Sequence, residues 1–491
     1  MLKKIFESTL TMGATSAMVI VIDLVRVKCI AVMLGPTGVG VLSILNHFQA
    51  VLFTLVGLGL STGVIKYISE YNASGDSRAL QSVLQNAWSI LFPVSLAALL
   101  LCVLLSVPLS SWILEDTGYS LFVIVYACSL PVAVYPLVGN ALLQGTLKIG
   151  ALARINILRA LLTLVLVVPL IYFFGLAGAV VSALAAALVH LVISRHYVRT
   201  QAAGFSVAAF GRIQPETARK LFHYGMTSLL VGAAMYISHL FLKTTIVHAL
   251  GQRLNGIYQP IWALTMAYPT IVLSSMSAYS YPRMCGIKEN RDMVSELNGT
   301  FRIALLFITP IMLVLLAARR PVIELLYSAE FLESAAIMHI QILGDLLRVV
   351  FWALGMYLLP MRRLSAFIFV NISQNVLLVA GALLLVGPYG LEGVAWAFTA
   401  SWVIPSLAVW IHAKRSLGFS FWGVNRVLLF SSALAIILIA VCQTKPGLAL
   451  NLGAPALVAS AWVLLNLDRQ ELAKFLEYAR ERLSRKGRPG R

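Results

Sequence analysis

From Gly150 to Ser194 the sequence reads GALARINILRALLTLVLVVPLIYFFGLAGAVVSALAAALVHLVIS. This stretch contains two apolar runs, 150–173 and 176–194, and its only charged residues are Arg154 and Arg159. A run of about 20 apolar residues is long enough to cross a bilayer as an α-helix. We therefore predict two membrane-spanning helices joined by a very short connection.

The start of the second run returns further along the chain. Gly175-Leu176-Ala177-Gly178-Ala179 is matched by Gly390-Leu391-Glu392-Gly393-Val394, 215 residues later. The same offset takes Asn156 to Asn371, Lys148 to Arg363, and Lys28 to Lys243. One shared offset indicates an internal duplication of two six-helix bundles, and an even number of spans predicts a pseudo-two-fold axis along the membrane normal. The alternative is that GLxG is a common helix start whose small residues allow close packing.

The composition of the whole chain extends this prediction from end to end. Of 491 residues, 60% are hydrophobic and 11% charged, and the mean hydropathy is +0.89. Soluble domains carry about 25% charged residues, so an ordinary soluble enzyme is excluded. We predict an all-α polytopic membrane protein. Its fourteen candidate spans are 9–34, 37–65, 81–109, 119–145, 150–173, 176–194, 221–247, 255–281, 301–318, 335–360, 364–387, 390–411, 427–442 and 447–466.

Basic residues are distributed unevenly across these spans. The chain has 37 Lys+Arg against 19 Asp+Glu, an excess that would suggest nucleic acid in a soluble protein. With both termini on one side, the loop cations on the opposite side are Arg253, Arg319, Arg320 and Lys445. By the positive-inside rule, the side that carries all other loop cations is the cytoplasm. The charge therefore sets topology, and no nucleic-acid partner is expected.

These features predict five segments. Residues 1–200 form an N-terminal six-helix lobe, 201–220 a basic cytoplasmic linker, and 221–415 a C-terminal six-helix lobe. Residues 416–467 add two spans, and 468–491 form a basic amphipathic tail suited to the anionic lipids of the inner leaflet. Two parallel bundles that face each other would enclose a cavity and could transport a substrate by alternating access.

Charged residues inside the spans are the first candidates for function. A cation at the bilayer centre costs about 2.5–3.5 kcal/mol, so each needs a partner or a role. Arg26 has Asp23 three residues earlier on the same helical face, whereas Lys28 lies on a different face of this helix. Lys243 occupies the matching position in the second half. Lys28 and Lys243 are predicted to form a cationic site for an anion, unless both extend to the external headgroups.

Three further charges lie within predicted spans. Asp345 and Arg348 repeat the three-residue spacing and predict a structural ion pair or a gating pair. Arg159 has Asn156 on its own helical face and is a third candidate cation for the cavity.

The sequence contains no pattern that indicates catalysis. It has no Gly-rich phosphate loop, no metal-ligand spacing, and five scattered cysteines that form no disulfide framework. Glu115-Asp116 is an acidic pair in a short external loop, too small a setting for a glycosyltransferase site. We therefore expect no cofactor, no metal, no catalytic residue and no enzyme activity.

Three motifs resemble a known family. Gly35-Pro36-Thr37-Gly38-Val39-Gly40, Gly63-Val64-Ile65-Lys66-Tyr67 and Gly344-Asp345-Leu346-Leu347-Arg348 resemble the O-antigen and enterobacterial-common-antigen flippases. These flippases belong to the polysaccharide transporter branch of the multidrug/oligosaccharidyl-lipid/polysaccharide exporter superfamily. Lys28 falls where common-antigen flippases have a first-helix lysine, and Arg348 where they often have lysine. The extension 416–491 departs from a twelve-span form and is similar to the lipid II flippases of the same superfamily.

The resemblance implies a substrate, a place and partners. The substrate would be a polyprenyl diphosphate bearing an oligosaccharide, moved from the cytoplasmic to the periplasmic leaflet of the bacterial inner membrane. A polysaccharide polymerase and chain-length proteins are the protein partners that this role suggests. Two alternatives stay open: a cation-coupled drug exporter of the same architecture, and, from a different class, a membrane glycosyltransferase or polymerase.

Overall fold

The described part of the chain is almost entirely helical. The computed structural model describes residues 2–442, 455, 457–462 and 466. Within them, two short 3₁₀ helices, Thr117–Tyr119 and Ala329–Ile337, accompany a series of α-helices. The α-helices are α1 (Leu2–Gly57), α2 (Leu60–Ser74), α3 (Ser77–Leu104), α4 (Ser106–Leu114), α5 (Ser120–Gly145), α6 (Ile149–Gln201), α7 (Pro215–Gly286), α8 (Asn290–Ala317), α9 (Arg319–Leu326), α10 (Met338–Gly355), α11 (Leu364–Leu417) and α12 (Gly423–Cys442).

Several of these helices are long enough to cross a membrane more than once. Among the described residues, eight helices have the length and apolar composition of a membrane span. Three of the eight, α6, α7 and α11, contain a glycine with non-helical backbone angles and so consist of two arms; α1 is divided in the same way. These breaks lie at Gly35, Gly175, Gly251 and Gly390, next to boundaries between predicted spans.

The prediction of an all-α polytopic membrane protein is confirmed. Predicted span 427–442 lies within α12. Most of the predicted span 447–466, and the whole predicted tail 468–491, lie outside the described residues. The count of fourteen spans therefore stays a prediction.

The breaks at Gly175 and Gly390 reverse the chain within a few residues. A methyl group built on Gly178 would collide with the backbone carbonyl of Leu170, eight residues earlier. In a continuous helix these residues would be about 12 Å apart along the axis. Gly393 approaches Leu385 in the same way. The absence of side chains at both positions therefore lets two helix arms pack backbone against backbone.

The backbone repeats the offset seen in the sequence. Leu147 and Arg362, 215 residues apart, both adopt the left-handed conformation that non-glycine residues rarely adopt, with φ of 59° and 57°. Each lies in a turn before a long helix, where the next residue's amide, Lys148 or Arg363, donates to a carbonyl five residues earlier, at 2.8 and 2.7 Å. This matched local geometry supports the internal duplication.

Two buried asparagines, one in each predicted six-span half, hydrogen-bond the segment that follows that half. In the linker after α6, the Gln214 amide donates to the Asn86 side-chain oxygen at 2.8 Å. In the segment after α11, the Trp422 amide donates to the Asn298 side-chain oxygen at 2.9 Å. Asn86 and Asn298 lie on α3 and α8, the third helical span of each predicted half. Both asparagines therefore stabilise backbone groups that no helix pairs.

The described residues cluster into two compact units. Unit 1 contains 2–260, 323–334 and 371–397, and unit 2 contains 261–322, 335–370 and the described residues from 398 onward. Unit 1 holds two apolar cores: one around Leu60, Leu84 and Leu142, the other around Leu45, Val123 and Val180. In unit 2, α8, α10 and α12 pack against one another. The predicted domain boundaries remain predictions.

Candidate functional site

Two glycines set the geometry of the candidate site in unit 1. Gly40 follows the break in α1, and Gly256 follows the break in α7. A methyl group on Gly256 would collide with the carbonyl of Pro36, and one on Gly40 would collide with the carbonyl of Gln252. The second arms of α1 and α7 therefore cross with their backbones in contact. The side-chain amide of the fully buried Asn255 donates to the Gly40 carbonyl at 2.8 Å. This hydrogen bond stabilises the crossing.

Lys243 lies buried beside this crossing. Its side chain is 0% exposed, although it carries a cation in a predicted span. The ammonium donates to Gln259 Oε1 at 2.8 Å and lies 5.1 Å from the centre of the Tyr258 ring. An amide oxygen and an aromatic face both favour a cation and offset part of the cost of burying one in a span.

A small cavity adjoins this lysine. It has a volume of about 90 Å³, and Gln259, the hydrogen-bond acceptor of Lys243, forms part of its wall. Ser43 and Asn46 add polar groups to the lining. The apolar part of the lining comes from Val27, Ile30, Val39, Leu42 and Tyr327. The cavity is large enough for a few water molecules and is much smaller than an oligosaccharide.

Lys28 does not line the same cavity, although residues next to it in sequence do. Its helical neighbours Val27 and Ile30 are in the wall, whereas its own ammonium donates to the backbone carbonyl of Glu324 at 2.7 Å. Glu324 lies at the end of α9, in the segment 323–334 that unit 1 includes. Neither predicted lysine therefore lines the cavity: Lys243 reaches it through Gln259, Lys28 through its helical neighbours, and each ammonium donates to a neutral oxygen.

Segments predicted to be external meet around the crossing. The Gln252 side chain donates to the Leu114 carbonyl at 3.0 Å, and Arg253 pairs with Glu333 at 3.3 Å. Glu330 lies beside Gly35, within 3.1 Å of where a side chain on that glycine would begin. These segments come from four predicted external connections, and their contact agrees with the prediction that the four connections lie on one side of the membrane.

The predicted pair of Asp23 and Arg26 forms an ion pair, with 2.9 Å between nitrogen and oxygen. Arg159 lies within electrostatic range of both charges. Its Nε is buried and has no hydrogen-bond partner among the described residues. Arg159 thus joins a polar cluster with Asp23 and Arg26, and no contact places it at the cavity of Lys243.

Asp345 and Arg348 do not bond to each other. In the described residues of unit 2, no ion pair joins them. Asp345 is 0% exposed and accepts a hydrogen bond from the Tyr268 hydroxyl at 2.6 Å, while Arg348 donates to the Thr265 carbonyl at 3.1 Å. Both partners come from α7, and Asp345 Oδ1 is left without a hydrogen-bond donor among the described residues. The expected direct pair is therefore replaced by two contacts to a neighbouring helix.

Sequence reasoning missed Gln259, Tyr258 and Asn255, the neutral residues that surround Lys243 and the crossing. A glutamine or asparagine in a span is itself a signal, because a buried amide needs hydrogen-bond partners. The spacing of 16 residues between Lys243 and Gln259 corresponds to no single-helix face, since the break at Gly251 lies between them.

Comparison with known proteins gives consistent matches. A family model described as polysaccharide biosynthesis protein matches residues 8–288. The lipid III flippases of Escherichia coli (strain K12) and Shigella flexneri are each 23% identical to this chain over 382 residues, covering 77% of this chain and 90% of theirs.

Solved structures with the same fold are membrane transporters. An inward-facing MATE family multidrug transporter of the MOP superfamily superimposes with a TM-score of 0.72 at 15% identity, over 81% of this chain and 94% of that chain. The lipid II flippase MurJ, in an inward closed conformation, gives a TM-score of 0.67 at 12% identity, over 94% of this chain and 98% of that chain. At these identities the likeness establishes the fold.

Proposed function

The chain belongs to the polysaccharide biosynthesis protein family, and from this membership we propose that it is a flippase for polyprenyl-diphosphate-linked oligosaccharide. The lipid would move from the cytoplasmic to the periplasmic leaflet of the bacterial inner membrane. Similarity to the lipid III flippases over most of both chains supports this substrate class. The multi-pass helical fold, shared with transporters, supports alternating access as the mechanism.

The observation that carries the proposal is the fully buried Lys243, whose acceptor Gln259 lines a small cavity together with Ser43 and Asn46. Each lysine presents an ammonium to a neutral oxygen, and a diphosphate is a better acceptor than an amide or a peptide carbonyl because it is charged. The head group would bind when phosphate oxygens replace Gln259 and the Glu324 carbonyl as the hydrogen-bond acceptors of the two lysines. Reversal of the exchange would release it, which suits a point charge such as lysine.

Closure of the external side indicates the order in which the substrate enters and leaves. The crossing at Gly40 and Gly256 and the contact of Arg253 with Glu333 would have to open for release to the periplasm. In the state described here these contacts are formed, so the substrate would enter from the cytoplasmic side. The arrangement of two six-helix lobes and cytoplasmic termini is part of this proposal and rests on the charge distribution.

Translocation in vesicles tests the proposal. The purified chain is reconstituted with a fluorescent polyprenyl-diphosphate disaccharide, and a membrane-impermeant quencher reports the leaflet that each lipid occupies. The wild-type protein should accelerate exchange of this lipid between the leaflets. It should not accelerate exchange of a fluorescent phosphatidylcholine, which carries no diphosphate. Equal rates in protein-containing and protein-free vesicles would contradict the proposal.

Lysine variants separate charge from packing. Lys243→Met keeps most of the buried volume and removes the charge, so the protein should fold while substrate affinity falls about ten- to a hundredfold, the loss of one charge-assisted contact. Lys243→Arg should retain partial transport. Lys28→Ala should also reduce transport, and Lys148→Ala, an exposed lysine outside the site, is the control. Wild-type transport by Lys28→Ala and Lys243→Met combined would remove the lysines from the mechanism.

A cation-coupled drug exporter is the second candidate. It is favoured by the fully buried Asp345 carboxylate, whose Oδ1 has no hydrogen-bond donor in the described chain. A cationic drug would need such an acid, and Asp345→Asn would then abolish drug efflux while leaving lipid translocation measurable. Efflux of cationic dyes from cells that express the chain distinguishes the two functions.

A further inference from the structure

A second cavity lies on unit 1 away from the lysines discussed above. It is an open groove of about 700 Å³ where α2 meets the first arm of α7. Its wall consists of Thr62, Ile65, Lys66, Ser69, Glu70, Ala73 and Tyr224. By the predicted topology, this end of α2 faces the cytoplasm. The groove therefore lies where a substrate from the cytoplasmic leaflet would first meet the protein.

Backbone contact between the two helices builds the groove. Gly59, just before α2, and Gly225 on α7 approach so closely that a methyl group on either would collide with the carbonyl of the other. One turn further, a methyl group on Gly63 would lie 3.0 Å from the Leu221 carbonyl. Beside this contact, six of the seven lining residues come from one face of α2, and the seventh, Tyr224, comes from α7.

Cationic and aromatic groups concentrate in this cleft. The Lys66 ammonium lies 4.7 Å from the ring centre of Tyr67 and 4.6 Å from that of Tyr224. Tyr224 is 50% exposed, so one part of its ring is available to a ligand. Lys220 lies within electrostatic range of Tyr67, although its ammonium also pairs with Glu216 at 2.7 Å.

The lining also contains an acid and two hydroxyls. Glu70 is exposed, and no ion pair joins it to Lys66 among the described residues. A carboxylate repels a bare phosphate, whereas it accepts hydrogen bonds from sugar hydroxyls. Ser69 can donate to or accept from the same hydroxyls, and Thr62, whose hydroxyl donates to the Gly59 carbonyl at 3.0 Å, can accept from them. The combination of one ammonium, one exposed ring, one carboxylate and two hydroxyls suits a ligand that carries phosphate and sugar together.

We infer that this groove binds the glycosyl diphosphate head group of the lipid-linked substrate before the substrate enters the translocation path. The inference rests on the proposed function and adds a binding site to it. Lys66 contacts the phosphates, the Tyr224 ring packs against the apolar face of the first sugar, and Glu70 accepts its hydroxyls. The groove opens to solvent, so the prenyl chain stays in the bilayer while the head group is held.

Equilibrium binding to the purified chain in phosphatidylcholine nanodiscs tests the assignment. The probes are farnesyl diphosphate-linked N-acetylglucosamine, farnesyl diphosphate without sugar, and dioctanoyl phosphatidylglycerol. Lys66→Gln should weaken both diphosphate probes about ten- to a hundredfold. Glu70→Gln and Tyr224→Ala should weaken the sugar-bearing probe alone, and Tyr224→Phe, which keeps the ring, should bind it like the wild type.

Matched controls use residues of the same type outside the groove. Lys148→Gln removes another exposed lysine, and Tyr172→Ala removes a tyrosine that is 76% exposed. Neither should change the affinity of any probe. Unchanged affinity of Lys66→Gln and Tyr224→Ala for the sugar-bearing probe would overturn the inference. The inference would also be overturned if phosphatidylglycerol bound as tightly as the sugar-bearing probe, because the groove would then be a general lipid head-group site.

Translocation assays on the same proteins keep this inference separate from the proposed function. If the wild type translocates lipid and the groove variants do so with unchanged KM, the groove assignment fails and the proposed function stands. If the wild type binds the sugar-bearing probe through Lys66 but translocates no lipid, the proposed function fails and the groove assignment stands.

Discussion

Replacement of Gly256 by alanine should force apart the two helix arms that cross at the candidate site. The added methyl group would collide with the Pro36 carbonyl, which is part of the backbone of α1 and cannot rotate away as a side chain could. Overpacking of this kind costs about 1–3 kcal/mol. If the arms part when the external side opens, the cost falls on the crossed state alone, and the equilibrium should shift about five- to 150-fold toward the open state.

Chemical labelling at Ser43 can measure this shift. Ser43 is 4% exposed in the crossed state, and its hydroxyl accepts a hydrogen bond from Asn255 at 3.2 Å. A Ser43→Cys variant, made after replacement of the five native cysteines, should react slowly with a membrane-impermeant maleimide added outside spheroplasts. Introduction of Gly256→Ala should raise the labelling rate in proportion to the open fraction.

The matched control is Gly299→Ala on α8, where nothing lies within 4 Å of an added methyl group. It should leave the labelling rate unchanged, since alanine also favours the helix. If Gly256→Ala labels no faster than this control and unfolds at the same temperature, the helices accommodate the methyl group and the crossing is not a rigid closure.

Three further predictions concern stability in detergent. Asn298→Ala should lower the free energy of unfolding by about 1–3 kcal/mol, because it leaves buried backbone groups without a partner; Asn290→Ala, at an exposed 3.4 Å contact, should change it little. Tyr268→Phe should lower it by a similar amount by removing the hydroxyl that donates to buried Asp345, and an unchanged value would show that this hydrogen bond does not stabilise the fold. Arg362→Gly should leave it unchanged or raise it by up to about 1 kcal/mol, because glycine adopts the left-handed conformation without strain, and a large loss would refute the strain argument. Thermal and denaturant unfolding measure all three.

Features that depend on neighbours in sequence could be predicted. Apolar runs located the spans, since a helix needs about 20 such residues to cross a bilayer. The repeated GLxG motif located the turns at Gly175 and Gly390, where the absence of side chains permits backbone contact. Asp23 and Arg26 pair as their three-residue spacing predicts, because one helix sets their geometry without help from the rest of the fold.

Features that depend on distant segments could not be predicted. Lys28 donates to Glu324, 296 positions away, and no periodicity links the two. Asp345 and Arg348 have the same spacing as Asp23 and Arg26, yet Tyr268 on another helix satisfies the carboxylate. Local spacing gives the opportunity for a pair, and packing decides whether it forms. The cavity beside Lys243 belongs to the same class, because it exists only where separate helices meet.

The abrupt reversals at Gly175 and Gly390 also affect where a protease can cut the chain and where an antibody can bind it. Two helix arms packed backbone against backbone across such a reversal offer no extended segment of the length that a protease active site must bind. The same geometry leaves an antibody almost no flexible epitope at these points. By contrast, residues 202–214 between α6 and α7 are non-helical and largely exposed. Limited digestion of inside-out vesicles should therefore cut between the two predicted lobes before it cuts at either reversal, and the fragments should end there.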